Sequence, residues 1–247
     1  MILAKEKQLK NEIIEVGKRL YGLHLVVSSA GNLSIRLEDN KILITATQTE
    51  LGALKDTDIL KIDLEHDQKN DRLTTEFPLH RLIYKNFPAQ VVIHCHPAFT
   101  NGYFSVYSDI KLLTFETKLY LGKIPVVKQE TPAVTRPEDV VEALRQSNLV
   151  VLKNHGVVAM GKTFKEAFNL IETLEEAVKI AATARIFKKE ILDDLDKELK
   201  DRLGHEKAYE MFSREHIEAI VNLVNNDQFI QEKGKELDLT LQYAIKM

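Results

Sequence analysis

Val91-Val92-Ile93-His94-Cys95-His96 is an unbroken run of apolar and β-branched residues carrying two histidines, and Pro97 halts it. Such a run reads as a strand. Residues two apart in a strand share a face, so His94 and His96 project together while Cys95 turns the other way. Two imidazoles on one face of a rigid strand can meet at one metal without bending the backbone. Other short runs carry the same extended signature: Ile35–Leu37, Lys41–Thr45, Asp58–Asp63, Ile124–Val127, Leu149–Leu152 and Val157–Met160. Between them lie segments of helical spacing. The first covers Glu6–Leu23, with Leu9, Ile13, Ile14, Val16 and Leu20 apolar. Phe77–Phe87 follows and ends before Pro88. Thr135 and Glu138 form a capping-box pattern for a helix through Leu144. A long helix is expected from about Phe164 to Ile191, and the charged remainder, residues 192–247, is helical in pattern. With no linker or internal repeat in view, the simplest architecture is a single α/β domain over residues 1–247 with a helical C-terminal extension.

The 247 residues include one cysteine, so an intrachain disulfide and a zinc site built mainly from thiolates are both excluded. Any metal must be held by histidine and carboxylate. A formal net charge of −3 gives no bulk attraction to nucleic acid or to an anionic membrane. No run approaches the roughly 20 apolar residues that span a bilayer, and the lysine- and glutamate-rich start lacks the apolar region of a signal peptide. The expected location is the cytoplasm.

Spacing alone supports a shared metal only for His94 and His96, because His-x-His also occurs in strands that bind nothing. His155, in a tight turn between Asn154 and Gly156, is a possible third ligand. Glu76, preceded by Thr74 and Thr75, opens an apolar helix; its local sequence fits plain capping, with Thr75 as N-cap, as well as an anion pocket. Gly31-Asn32 reads equally as a turn, and Thr45 through Thr49 as a solvated strand end. Of the remaining histidines, His24, His66, His205 and His216 read as structural or surface residues. His80, one helical turn after Glu76, has the best claim to a supporting role at the site.

Taken in order, Ser29-Ala30-Gly31-Asn32-Leu33-Ser34, Ile44-Thr45-Ala46-Thr47, Thr74-Thr75-Glu76, His80, Tyr84, His94-Cys95-His96-Pro97 and Asn154-His155-Gly156 resemble the class II aldolase/adducin family, over about residues 10–182. The resemblance implies a three-layer α/β/α fold around a mainly antiparallel sheet, assembled as a homotetramer with active sites at subunit interfaces. It implies Zn2+ held by His94, His96 and His155, with Glu76 as catalytic glutamate and as a fourth ligand before substrate binds. Gly31, Asn32, Thr47, Thr74 and Thr75 fall where the family binds the substrate phosphate. The implied reaction is reversible cleavage of a ketose 1-phosphate to dihydroxyacetone phosphate and an aldehyde, as in the family's fuculose-1-phosphate aldolases.

Two positions depart from that pattern. Gln48 stands where the aldolases carry glycine, beside the phosphate pocket. A tyrosine serving as general acid is expected near Thr114 or Phe115, where this chain has none; Tyr209 and Tyr243 are substitutes offered by the C-terminal extension. Pentulose-phosphate 4-epimerase, sugar-acid phosphate decarboxylase and dehydratase are alternatives within the family. An adducin-like scaffold is the non-enzyme alternative, and the intact set of three histidines and a glutamate argues against it.

Overall fold

A computed structural model describes residues 2–66, 70–131 and 133–203. Seven strands form one sheet in the order β3-β2-β1-β4-β7-β6-β5. They are β1 (Asn32–Arg36), β2 (Lys41–Thr45), β3 (Ile59–Asp63), β4 (Val91–Cys95), β5 (Val126–Lys128), β6 (Leu149–Lys153) and β7 (Gly156–Gly161). Every pairing is antiparallel except β5 with β6. The helices are α1 (Ile2–Gly22), α2 (Phe77–Asn86), α3 (Ala98–Val106), α4 (Phe115–Leu121), α5 (Pro137–Leu144) and α6 (Phe164–Leu203).

Strand alternation sorts the core into two halves. Val91, Ile93 and Cys95 of β4 pack with Ile13 and Leu20 of α1, Phe104 of α3, Leu121 of α4 and Phe168, Ile171 and Leu174 of α6. Val92 of the same strand packs with Phe77, Leu79, Ile83 and Tyr84 of α2 and Val140, Val141 and Leu144 of α5. These are the three layers of an α/β/α sandwich, with the sheet buried on both faces. Residues 1–182 form one compact unit, and residues 183–247 form a second, which is helical as far as Leu203. Tyr209, Tyr243, His205 and His216 lie outside the described residues.

The local elements differ from the sequence expectations: β1 is Asn32–Arg36 rather than Ile35–Leu37, β5 is Val126–Lys128 rather than Ile124–Val127, and the helix starts differ as well. The capping box of Thr135 does not form: the N-cap of α5 is Arg136, without a side-chain cap, and Pro137 opens the helix with its φ already set. Thr75 is not the N-cap of α2; Glu76 holds that position, and the Thr74 hydroxyl accepts the Glu76 N–H at 3.3 Å. Helices α3 and α4 were not foreseen. Among the described residues no helix is long and apolar enough to cross a membrane.

Candidate active site

The antiparallel order brings the start of β1, the ends of β2, β4 and β6 and the start of β7 to one end of the sheet. All the candidate residues within the described chain lie there or on the loops beside it. Asn32 pairs directly with His94 across β1 and β4. His96 stands just past the end of β4, where its N–H leaves the ladder and donates to the Leu25 carbonyl at 2.9 Å. His155 sits in the turn between β6 and β7, whose first residue, Asn154, takes a left-handed φ of 64°. Asparagine tolerates that conformation better than most residues.

Two glycines let these segments close on each other. A Cβ on Gly156 would lie 2.4 Å from the Cys95 carbonyl oxygen and 2.8 Å from the His96 ring. A Cβ on Gly31, at φ 80°, would lie 2.7 Å from the His94 carbonyl oxygen. Both contacts are shorter than carbon can make, so either side chain would push the histidine strand away.

The three rings meet edge to face, with centroids 4.8 to 5.0 Å apart. One donor atom from each of His94, His96 and His155 lies within 4.8 Å of the other two. The Nε2 atoms of His94 and His96 are 3.0 Å apart, and His94 Nδ1–H donates to the Val157 carbonyl at 3.0 Å. A bond of that kind turns the opposite nitrogen into a free lone pair. Burial holds the His94 pKa well below its ordinary value, with the neighbouring His96 and His155 adding to the effect. Burial, then His155, brings His96 down to about 4, and burial also lowers His155. All three are therefore neutral at physiological pH, the form that binds a metal.

Glu76 is not one of the clustered donors. Its Oε1 accepts the Val134 N–H at 3.1 Å, and its buried Oε2 has no partner. Burial raises its pKa against the opposing pull of the Val134 N–H. Among the described residues, the buried side-chain atoms without a partner are Glu76 Oε2, His155 Nδ1 and Asn101 Oδ1. Orphans of this kind are rare in folded proteins, and here two of the three belong to residues singled out for chemistry. An all-nitrogen set of three neutral imidazoles suits zinc or a similar divalent ion.

The candidate phosphate residues stand on three neighbouring segments. Gly31 and Asn32 open β1, Thr47 and Gln48 follow β2, and Thr74 and Thr75 precede α2. The Thr47 N–H donates to the Arg72 carbonyl at 2.8 Å, which ties the second segment to the third. Thr74 is buried, whereas Thr75 and Gln48 are exposed. Asn32 is buried and belongs to a polar chain that the sequence did not reveal: its Oδ1 meets His80 Nε2 at 2.5 Å, His80 Nδ1 meets Ser34 Oγ at 2.6 Å, and Ser34 Oγ meets Tyr84 Oη at 2.8 Å. Its members Asn32, Ser34, His80 and Tyr84 all stand among the motif residues of the sequence, but spacing alone does not join them.

Residues 11–182 match the model of the class II aldolase and adducin N-terminal domain. The chain belongs to the class II aldolase/adducin family. An L-fuculose phosphate aldolase from Methanocaldococcus jannaschii is 35% identical over 182 residues, which cover 73% of this chain and 99% of that one. A 3-oxo-tetronate 4-phosphate decarboxylase from Pectobacterium atrosepticum is 29% identical over 186 residues, 72% of this chain and 85% of its own. The crystal structure of L-fuculose-1-phosphate aldolase from Thermus thermophilus superposes with a TM-score of 0.69 at 28% identity, covering 74% of this chain and 97% of that one. This family member thus carries a three-histidine cluster at one end of its sheet, together with the buried Glu76 at the start of α2.

Proposed function

We propose that this chain is a zinc-dependent aldehyde-lyase that reversibly cleaves a ketose 1-phosphate to dihydroxyacetone phosphate and an aldehyde. The observation that carries the reading is the meeting of three neutral imidazoles, His94, His96 and His155, at one end of the sheet. There Asn32, paired with His94, bonds His80 of the helix that Glu76 opens with an unpartnered buried carboxylate oxygen. The likeness to two sugar-phosphate aldolases supports it.

His94, His96 and His155 are the residues that would hold the ion. When bound, a divalent cation there supplies Lewis-acid stabilisation of negative charge on the substrate oxygens. Glu76 moves the proton. Its Oε2 accepts the proton of the hydroxyl on the carbon that becomes the aldehyde; the O–H electrons form the new C=O and the C–C bond breaks. Its electrons remain on the dihydroxyacetone carbon, to which Oε2 then returns the proton. A buried carboxyl with a raised pKa suits both halves of that transfer. The Asn32 amide, the hydroxyls of Thr47, Thr74 and Thr75, and the backbone at Gly31 and Gln48 bind and orient the phosphate, whose remote binding energy aligns the reacting carbons. Exposed Phe115, Leu119 and Tyr120 on α4 support assembly into a homotetramer, and we read the cytoplasm as its compartment.

The decarboxylase relative supports a second reading, loss of carbon dioxide from a sugar-acid phosphate. A panel of ketose 1-phosphates and sugar-acid phosphates, assayed with zinc, manganese or cobalt, distinguishes the two. Release of dihydroxyacetone phosphate is the expected result. Carbon dioxide release without it would replace the aldolase reading with the decarboxylase one.

A further inference from the structure

Helix α3 starts directly after His96 and Pro97, and it also reaches the third histidine. Asn101 Nδ2 donates to the His155 carbonyl at 3.0 Å. A carbonyl only accepts, so this contact fixes which end of the carboxamide faces the turn. The helix itself is held from elsewhere in the chain. Its N-cap is Pro97, which offers no side-chain cap. Instead the buried carboxylate of Glu175 on α6 accepts three bonds, from Phe99 N–H at 3.1 Å, Thr100 N–H at 2.9 Å and the Thr100 hydroxyl at 2.7 Å. These satisfy the free amides of the first turn and set a negative charge at the positive end of the helix. α3 is therefore fastened at its start to α6 and, one turn on, to the segment that carries His155.

We propose that Asn101 is a positioning residue for the metal centre, fixing the His155 peptide so that its ring meets those of His94 and His96; this rests on reading the three histidines as metal ligands. The β6–β7 ladder holds the turn at Asn154–His155 at its base, where Leu152 pairs with Gly156. The His155 N–H closes onto the Leu152 carbonyl at 3.0 Å, and Asn154 is exposed. With the Asn101 amide gone, the His155 carbonyl loses its side-chain donor, which loosens the peptide that carries the imidazole. Loss of contacts that orient a ligand from outside weakens metal binding by about 10- to 100-fold in general.

The test titrates zinc and cobalt(II), against a chromophoric chelator, into the metal-free full-length protein, Asn101→Ala, Asn101→Leu and a control, Ser105→Ala. Ser105 lies on the same helix, is exposed, and its hydroxyl donates to the Gly102 carbonyl at 2.7 Å. Alanine is the better helix former, so Asn101→Ala leaves α3 able to fold. Both Asn101 variants should bind either ion about tenfold or more weakly than wild type and show an altered cobalt absorption band, while Ser105→Ala matches wild type. Thermal melts of the metal-free proteins, recorded alongside, separate positioning from general stability. Asn101 variants that melt lower yet keep wild-type affinity and the wild-type cobalt spectrum would overturn the proposal and leave the metal centre standing. A wild-type protein that takes up neither ion would remove the metal centre, and this role with it.

Discussion

His80 Nε2 lies 2.5 Å from Asn32 Oδ1, and this bond joins the helix that begins at Glu76 to the strand residue paired with His94. With the carboxamide oxygen as acceptor, Nε2 carries the proton, Nδ1 accepts from the Ser34 hydroxyl, and that hydroxyl accepts from Tyr84.

Replacing His80 tests the chain of bonds. His80→Phe keeps a ring in the pocket but leaves Asn32 and Ser34 short of a partner, so it should destabilise the protein by about 1–3 kcal/mol. The pH dependence should change as well. Burial brings His80 down to about 3. Between the ordinary histidine range and that value the unfolded chain binds a proton that the native chain does not, so stability is lost as pH falls. Each such group contributes at most about 1.4 kcal/mol per pH unit. Urea denaturation of the metal-free protein at several pH values between 7 and 4 measures both effects. A mutant with unchanged midpoint and unchanged pH slope would show that the network carries no stability.

The site was only partly legible in the sequence. Strand alternation in Val91–Cys95 correctly separated His94 from Cys95, because the period of two is enforced by the backbone itself. His155 could not be placed by spacing, since hairpin pairing brings it 61 positions back to His94 only once β4 and β7 are known to be neighbours. Helix α3 is illegible in the sequence for a different reason. Its sequence, AFTNGYFSV, holds Thr, Asn and Gly and has no cap of its own. Its start is secured by Glu175, 75 residues away from Thr100, and such tertiary capping leaves no local signature.

Gln48 stands at a place where the backbone favours glycine. Its φ is 58°, a left-handed conformation that costs most residues about 1–2 kcal/mol. Gln48→Gly should therefore stabilise the protein by up to about 1 kcal/mol after the extra freedom of glycine in the unfolded chain is set against it. It should also move KM for the phosphorylated substrate more than kcat. A lower melting temperature together with an unaltered KM would remove Gln48 from both roles.

Glu76→Gln keeps the shape of the side chain and can still accept the Val134 N–H, but it cannot carry the proton. Turnover on the true substrate should fall by about 100- to 10,000-fold with metal content retained. Wild-type rates in this variant would mean that another group handles the proton.

Metal analysis of the purified protein, wild type against His96→Ala, reaches the centre of the proposal. The wild-type chain should carry or take up about one divalent ion, and the variant should lose both the ion and the activity while remaining folded. A wild-type protein that binds no divalent metal, or a His96→Ala protein with full metal content, would contradict it.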